Sequence, residues 1–327
     1  MKLCSFENKG SPTYGVARAD GKVVDLKPVF GPRGVARLED LIIAMTAGEI
    51  AQSEILEAAA KADGIDEGVI EWLPPLPRPS KILAVAANNR IVQRMAVRPS
   101  SNPSFFLKPP SSLTGHKRPI IMRKDYGVTH PEPEMAIIIG KGGSRISEED
   151  ARSHIFGYSI LDDITSPSLK ERDSMELVLS EKAIGGYKDL MGWRNVTAGV
   201  NERSIYLTYH TISKGADTFG PMGPWIVTAE EISNPNNLAI RCYDADELIF
   251  EDSTANLIFP VEKIVSHASH YMKLEPGDVI SCGSAMKPPP NGRVKSVTDW
   301  NLQKTKGPIA IEIDQIGRLV STVEIIE

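Results

Sequence analysis

Residues 130 to 140 read His-Pro-Glu-Pro-Glu-Met-Ala-Ile-Ile-Ile-Gly, so a polar loop runs directly into an apolar strand. Side chains alternate between the two faces of a strand, which places Glu132 and Glu134 on one face, roughly 7 Å apart along the chain. Two buried carboxylates repel each other unless they share a proton, meet a basic partner or bind a cation. Mg²⁺ or Mn²⁺ fits the pair best because these ions prefer oxygen ligands, although Glu-x-Glu also occurs on solvated surfaces.

The composition argues against several classes of protein. With 327 residues, 41% of them hydrophobic, the chain can bury a large core, and one large domain with a smaller one is expected. The 37 Lys and Arg residues against 42 Asp and Glu residues give a net charge of −5. This acidic balance argues against nucleic acid or an anionic membrane as a partner.

Cysteine usage and hydropathy predict the compartment. Cys4, Cys242 and Cys282 are far apart and form no Cys-x-x-Cys motif, which argues against a disulfide framework or a zinc site and favours a reducing compartment. No apolar run approaches the roughly 20 residues that cross a bilayer, and residues 1–7 lack the apolar core of a signal peptide. The sequence therefore predicts a soluble, cytoplasmic protein.

The first 80 residues predict a small domain followed by a linker. Asp20-Gly21 is a hairpin-turn signal between two short strands, and apolar residues at helical spacing follow over 38–45 and 50–62. We therefore expect residues 1–72 to form a small α/β domain. Residues 73–80 read Leu-Pro-Pro-Leu-Pro-Arg-Pro-Ser, and proline this dense predicts a stiff, extended linker.

Short strands dominate residues 81–327, which we expect to form the catalytic domain. A serine followed by acids predicts a short helix that begins at Ser147 and ends by Gly157, and a longer helix is predicted over Val261–Met272. The predicted fold class is α+β, mainly β: a rolled β-sandwich or barrel-like body with the small N-terminal α/β domain. The predicted strands are 82–86, 104–108, 119–123, 135–139, 158–161, 225–228, 238–243, 248–251, 279–282, 309–313 and 319–325.

Two further blocks carry candidate chemistry. Asp163 follows the strand predicted at 158–161, where a third carboxylate would complete a facial oxygen site for a divalent metal. Lys214 leads a loop rich in glycine and proline that ends at Pro224. A lysine beside a metal can hold the negative charge of an enolate, and the alternative is a surface lysine before a turn.

A last block follows the strand predicted at 279–282. Gly283 and Ser284 are small residues that can grip a carboxylate through N–H and O–H groups. The sequence thus supplies acidic, basic and hydroxyl groups in separate blocks, and their convergence is a prediction that the fold must meet.

In their order and spacing, these blocks resemble the fumarylacetoacetate hydrolase superfamily over roughly residues 80–285. Members share a Glu-x-Glu strand, a strand that ends in Asn-Asp or Asp-Asp, a Lys-Gly-x-Asp-x-Phe-x-Pro-x-Gly-Pro loop and a Pro-Gly-Asp-Val-Ile strand ahead of Thr-Gly-Thr-Pro. The corresponding blocks here are Glu132/Glu134, Asp162-Asp163, Lys214–Pro224 and Pro276–Ile280 followed by Cys-Gly-Ser-Ala. Residues 1–70 resemble the small N-terminal domain of the longer bacterial members.

The resemblance implies a rolled β-sandwich that binds Mg²⁺ or Mn²⁺, forms a homodimer and acts on acylpyruvates or other 2-oxo or 1,3-dicarbonyl acids. A metal chelated by a 1,3-dicarbonyl stabilises the enolate that leaves when the adjacent C–C bond breaks. By position, the implied metal ligands are Glu132, Glu134 and Asp163. The implied catalytic residues are Lys214 and Glu134, and the implied substrate contacts are Ser284, Gly283, Phe106 and Arg90.

The chain departs from the family at the lid. Hydrolytic members carry a His-x-x-Glu pair that activates the attacking water, shortly after an Asn-Tyr-Arg-like segment. The matching segment here is 88–95, and Val92 and Met95 occupy the places of the pair. Neither side chain can take a proton, so the general base that C–C hydrolysis needs is missing from its usual place.

The chain also carries a long insertion at residues 174–212. It includes a helical-looking stretch at 175–181. The insertion could cover the pocket, extend a dimer interface, or serve only as structural packing. It could also donate a replacement base, for which the candidates are Glu176, Glu181 and His210.

Three functions remain open on this sequence. The first is metal-dependent C–C bond hydrolysis of an acylpyruvate-like acid, with water activated by the metal or by the insertion. The second is decarboxylation or tautomerisation of a 2-oxo diacid, which uses the same enolate but needs no water nucleophile. The third, of another class, is a ligand-binding protein that kept the fold without turnover.

Overall fold

The computed structural model describes residues 1–95, 100–178, 204–284, 286–292 and 299–327. The first strands are β1 Lys2–Asn8, β2 Ser11–Ala17, β3 Lys22–Asp25, β4 Ile65–Asp66, β5 Glu71–Trp72, β6 Ile82–Ala86, β7 Ser104–Lys108, β8 Leu113–Thr114, β9 Pro119–Arg123 and β10 Pro133–Ile139. The others are β11 Ile155–Asp162, β12 Ser174–Val178, β13 Ser204–Thr208, β14 Gly220–Thr228, β15 Ala239–Asp244, β16 Glu247–Ser253, β17 Val279–Ser281, β18 Ile309–Ile313 and β19 Gly317–Ile326. The α-helices are α1 Lys27–Phe30, α2 Leu38–Thr46, α3 Gln52–Lys61, α4 Arg90–Met95, α5 Thr211–Gly215 and α6 Val261–Tyr271.

Two sheets form the body of the described chain. The larger has twelve strands in the order β4-β3-β2-β1-β14-β11-β10-β17-β6-β7, with β5 paired to β1 and β8 paired to β14. The smaller has five strands in the order β16-β15-β18-β19-β9. One hydrophobic core joins the two sheets, with Ile137 and Tyr158 from the first and Ile311 and Leu319 from the second. This arrangement confirms the predicted α+β, mainly β fold class.

Helix α6 and the N-terminal helices cover the sheets. The apolar stripe of α6, Val261, Ile264, Val265 and Ala268, is buried as its helical spacing predicted. Helices α2 and α3 pack over a second core that also contains Ile138 of β10. No helix of the described residues is long and apolar enough to cross a membrane.

The N-terminal strands continue the sheet that carries the candidate site. Strand β1 pairs antiparallel with β14, with Lys2 opposite Val227. Strands from before and after the linker predicted at 73–80 therefore belong to one sheet. Leu76, within that predicted linker, is fully buried. The domain boundaries at 72 and 81 stay a prediction.

The predicted helix from Ser147 to Gly157 is wrong. Ser147 accepts a hydrogen bond from the Asp150 amide, but only a 3-10 turn over Ala151–His154 follows, and β11 begins at Ile155. Gly157 lies inside β11, where a Cβ would approach the carbonyl oxygen of Val227 to 2.2 Å. The glycine permits close strand pairing and does not end a helix.

The helix predicted over 175–181 is also wrong for its described residues, 175–178. Residues up to Val178 form β12, which pairs antiparallel with β13, Ser174 lying opposite Thr208. Pairing with β13, which begins at Ser204, has overridden the local helix preference. Glu181 lies outside the described residues, and Glu176 is exposed on β12.

Candidate metal centre

Three carboxylates meet where β10 begins and β11 ends. Glu132 and Glu134 flank Pro133, the first residue of β10, and Pro133 lies opposite Asp162 in the antiparallel pair. The amide of Asp163 donates to the carbonyl of Glu132 at 3.0 Å, which fixes the turn after β11 beside the start of β10. One carboxylate oxygen from each of Glu132, Glu134 and Asp163 lies within 4.8 Å of the others. The predicted convergence is therefore present in the fold.

Glu134 is buried and held by the segment after β17. Its Oε2 accepts hydrogen bonds from the Ser281 hydroxyl and from the Gly283 amide at 2.9 Å, and its Oε1 accepts from Ser284 Oγ at 2.9 Å. Burial, together with the charges of Asp163 and Glu132, raises the pKa of the Glu134 carboxyl. A carboxylate in this position needs a proton or a further cation to be stable.

Lys214 on α5 is the first cation of the site. Its Nζ donates to Asp163 Oδ2 at 2.5 Å, to Thr165 Oγ1 at 2.5 Å and to Glu132 Oε2 at 3.1 Å. Burial works against the charged form, but Asp163 and Glu132 outweigh it and raise the pKa of Lys214. Burial likewise opposes ionisation of Glu132, yet Lys214 and then His130 bring its pKa below the usual value. The ion pair is therefore charged on both sides.

Lys108, at the end of β7, is a second cation that the sequence reasoning missed. Its side chain is fully buried, and Nζ donates to Asp163 Oδ1 at 2.7 Å and to the backbone carbonyl of Lys214. A lysine that closes an apolar strand and precedes Pro-Pro was the available signal, but it does not identify a partner. Through these two hydrogen bonds, Lys108 holds both the Asp163 side chain and the backbone of Lys214 in place.

Replacing Lys108 with methionine is expected to lower the free energy of unfolding by about 3–5 kcal/mol, because it leaves the Asp163 carboxylate buried with one partner fewer. Denaturant unfolding of the metal-free protein measures this change. The matched control is Lys61→Met, since Lys61 pairs with Glu57 on the exposed face of α3 and its loss is expected to cost no more than about 0.5 kcal/mol. Equal stability of the two variants would contradict the structural role of Lys108.

A cavity of about 600 Å³, the size of a small-molecule site, opens beside the carboxylates. It has polar groups at one end and an apolar wall. Its lining residues are Val85, Ala86, Ala87, Asn88, Asn89, Ile91, Val92, Phe106, Glu132, Glu134, Asp163, Lys170, His210, Lys214, Phe250, Ser284, Met286 and Pro288.

The predicted substrate contacts divide into two groups. Ser284 and Phe106 line the cavity, and the Lys214 ammonium lies 5.0 Å from the centre of the Phe106 ring. Gly283 and Arg90 are not among the lining residues: the Gly283 amide is engaged by Glu134, and Arg90 is exposed at the start of α4. Their role as substrate contacts stays a prediction.

Two asparagines that the sequence reasoning did not single out hold Ser284 in place. Asn88 Nδ2 donates to the Cys282 carbonyl at 2.7 Å, and Asn89 Nδ2 donates to the Ser284 carbonyl at 3.1 Å. Gly283 adopts φ +97°, and a Cβ there would lie 2.6 Å from the Cβ of Asn88. Glycine is therefore required for the turn that brings Ser284 to the carboxylates.

The donor set fits a hard divalent cation. Three carboxylates gather at one point, and Lys214 and Lys108 supply two positive charges against their three negative ones. Oxygen ligands of this kind suit Mg²⁺ and Mn²⁺, which bind through a few carboxylates and leave other positions to water or substrate. Among the described residues, Glu132, Glu134 and Asp163 are the one group of His, Cys, Asp or Glu side chains close enough together to hold a metal ion.

Comparison with known proteins identifies a family model and several relatives that this chain matches. A family model described as the C-terminal domain of fumarylacetoacetate hydrolase matches residues 81–324. The chain is 27% identical to the mitochondrial oxaloacetate tautomerase fahd2 of Xenopus laevis, covering 99% of this chain and 90% of that protein. It is 31% identical to the oxaloacetate tautomerase YisK of Bacillus subtilis, covering 76% of this chain and 71% of that protein.

A solved structure supports the fold over the whole chain. Maleylpyruvate hydrolase from Sphingobium sp. SYK-6, in complex with manganese (II) ion and pyruvate, superposes with a TM-score of 0.71 and 24% identity, and the match covers 100% of both chains. At this identity the likeness establishes the shared fold.

Proposed function

Since this chain belongs to the fumarylacetoacetate hydrolase family, we propose that it is a divalent-metal-dependent enzyme that interconverts the keto and enol forms of a 2-oxo dicarboxylic acid such as oxaloacetate. Tautomerisation moves a proton between carbon and oxygen and needs no attacking water. The two relatives named above as oxaloacetate tautomerases support this reaction class.

One observation carries the choice of reaction. Val92 lines the cavity at a position where hydrolytic members of the family have the histidine that activates water. A valine cannot take a proton, so this wall of the cavity lacks that water-activating base. A reaction without a water nucleophile fits this wall better than hydrolysis does.

The polar end of the cavity provides the groups that the reaction needs. Glu132, Glu134 and Asp163 would hold Mg²⁺ or Mn²⁺, and a bound divalent ion supplies a Lewis acid toward the substrate oxygens. The ammonium of Lys214 stabilises negative charge that develops on a substrate oxygen. The Ser284 hydroxyl, 2.9 Å from both glutamate side chains, orients a substrate carboxylate or carbonyl at the same end.

The test is to add metal-loaded protein to oxaloacetate and follow the enol absorbance, with product mass and CO₂ release measured in parallel. We expect the enol–keto equilibrium to be reached faster than in a protein-free sample with the same metal, with no additional change of mass and no additional CO₂. Release of CO₂ above that control would indicate the decarboxylase alternative. A protein that binds metal but leaves every substrate unchanged would instead be the ligand-binding member of the fold.

Hydrolysis of an acylpyruvate is the second candidate, favoured by the apolar wall of the cavity. Phe106, Phe250 and Met286 line a space larger than a four-carbon diacid requires, and an acyl chain could occupy it. Acylpyruvates added to the same assay separate the two candidates, because hydrolysis yields two acids and consumes water.

We further propose that the protein is a homodimer in the cytoplasm. Light scattering tests the homodimer.

A further inference from the structure

We propose that His210 is the proton-transfer residue of this cavity for the keto–enol reaction. The inference rests on the proposed function, because it assigns a role in the proton transfer of that reaction. His210 belongs to the insertion and lines the same cavity as Glu134, Lys214 and Ser284. The His210 side chain therefore borders the space that a bound substrate would fill.

The other titratable groups of the cavity have different tasks. Among the described lining residues these are Glu132, Glu134, Asp163, Lys170 and Lys214. The three carboxylates form the candidate metal site, and lysine side chains are donors without acceptor capacity. Imidazole is the side chain that both accepts and donates a proton near neutral pH. By function, His210 is the remaining group suited to abstracting a proton.

The main chain holds His210 in a fixed position relative to Lys214. The Asp173 carboxylate accepts hydrogen bonds from the amides of Ile212 at 3.0 Å and Ser213 at 2.5 Å, and so anchors the start of α5. The Lys214 amide donates to the His210 carbonyl at 3.1 Å. Residues four apart lie on the same side of a helical turn, so one turn presents both the imidazole and the ammonium.

The surroundings of the His210 ring favour its neutral form. Its Nδ1 is buried and has no hydrogen-bond partner among the described residues. Burial, followed by the charges of Lys170 and Lys214, lowers the pKa of His210, while Asp173 and Asp163 act weakly in the opposite direction. The Phe106 ring packs against it at 5.7 Å between centroids. A neutral imidazole with no carboxylate partner is able to accept a proton and return it.

The proton transfer balances without a further reactant. His210 takes a proton from the carbon next to the substrate's 2-oxo group, and the C–H electron pair becomes the C=C bond. The C=O π pair moves to oxygen, whose negative charge Lys214 stabilises. The imidazolium then returns its proton to that oxygen, which gives the enol and restores the neutral ring.

The test compares His210→Gln with the wild-type enzyme, each loaded with Mn²⁺, on oxaloacetate. We expect kcat to fall about 10²–10⁴-fold, with oxalate affinity and Mn²⁺ affinity unchanged within about threefold. In the wild type, kcat/KM falls at pH values below the usual pKa of histidine, because the ring becomes protonated there; the variant loses this acid limb. Added imidazole is expected to restore part of the activity of His210→Ala.

The matched control is His267→Gln. His267 stacks on Phe105, 6.1 Å away between ring centroids, and does not line the cavity, so its replacement is expected to leave kcat within twofold. An active wild type whose kcat and pH profile survive in His210→Gln would overturn the role of His210 alone. An inactive wild type would overturn the proposed function, and the role of His210 with it. If His210→Gln fails to fold, the imidazole dependence of His210→Ala decides the question.

Discussion

Replacement of Glu134 by alanine is expected to abolish Mn²⁺ binding and turnover together. Glu134 supplies one of the three carboxylates that lie within 4.8 Å of one another, and Ser281, Gly283 and Ser284 all donate hydrogen bonds to it. Removing a partner in the outer shell of a metal already costs 10–100-fold in affinity, so loss of a ligand is expected to cost at least about 100-fold. Titration with Mn²⁺ monitored by calorimetry, and turnover of oxaloacetate, measure the two losses.

Glu134→Gln separates loss of the ligand from loss of structure. Glutamine keeps the volume and an acceptor for the Gly283 amide, and it removes the charge that burial and the neighbouring carboxylates disfavour. We expect it to fold as stably as the wild type and still to bind no Mn²⁺. The control is Glu39→Gln, in a separate cavity of about 410 Å³ beside α2. Full metal-independent activity in Glu134→Ala would overturn the metal assignment.

Lys214→Met is expected to lower kcat by about 10²–10³-fold with little change in KM, because Lys214 acts on charge that develops during the reaction. Lys214 also neutralises Glu132 and Asp163, and Lys108 remains on Asp163 after the substitution. Removing the positive charge of Lys214 from beside the carboxylates makes the binding of a metal cation there more favourable. We therefore expect Mn²⁺ affinity to be kept or to rise, which steady-state kinetics and calorimetry measure on one sample.

Lys170→Met is the matched control for that variant. Lys170 lines the same cavity, and no hydrogen bond or ion pair joins its side chain to the three carboxylates in the described structure. Its loss is expected to change KM more than kcat, by less than about tenfold. Equal losses of kcat in the two variants would show that general positive charge in the cavity matters, and would contradict a specific role for Lys214.

Much of the candidate site could be predicted from the sequence because its parts lie in recognisable local patterns. Glu132 and Glu134 follow from strand alternation, and Asp163 and Ser284 follow from their places at strand ends. Lys108 and Ser281 were not predicted as part of the site, because a single lysine or serine at a strand end does not indicate its partner. Their partners, Asp163 and Glu134, are 55 and 147 residues away along the chain.

The helix predictions failed where long-range packing outweighed local preference. Gly157 reads as a helix stop, but its missing Cβ is needed for the approach of β14. Residues 175–181 read as helical, but their described part, 175–178, pairs with 204–207. Local propensity is weaker than the hydrogen bonds and buried surface that a paired strand supplies.

The alternation of side chains, the strand-rich pattern and the spacing of the acidic, basic and small residues are properties of the chain itself, and they already determine the fold class and the identity of the carboxylates. The protonation and charge balance of those carboxylates depend on distances through space. Only the folded chain brings Lys108 and Lys214 onto Asp163 and sets His210 in the same cavity, because electrostatic interactions and desolvation act between neighbours in three dimensions, whatever their separation in sequence.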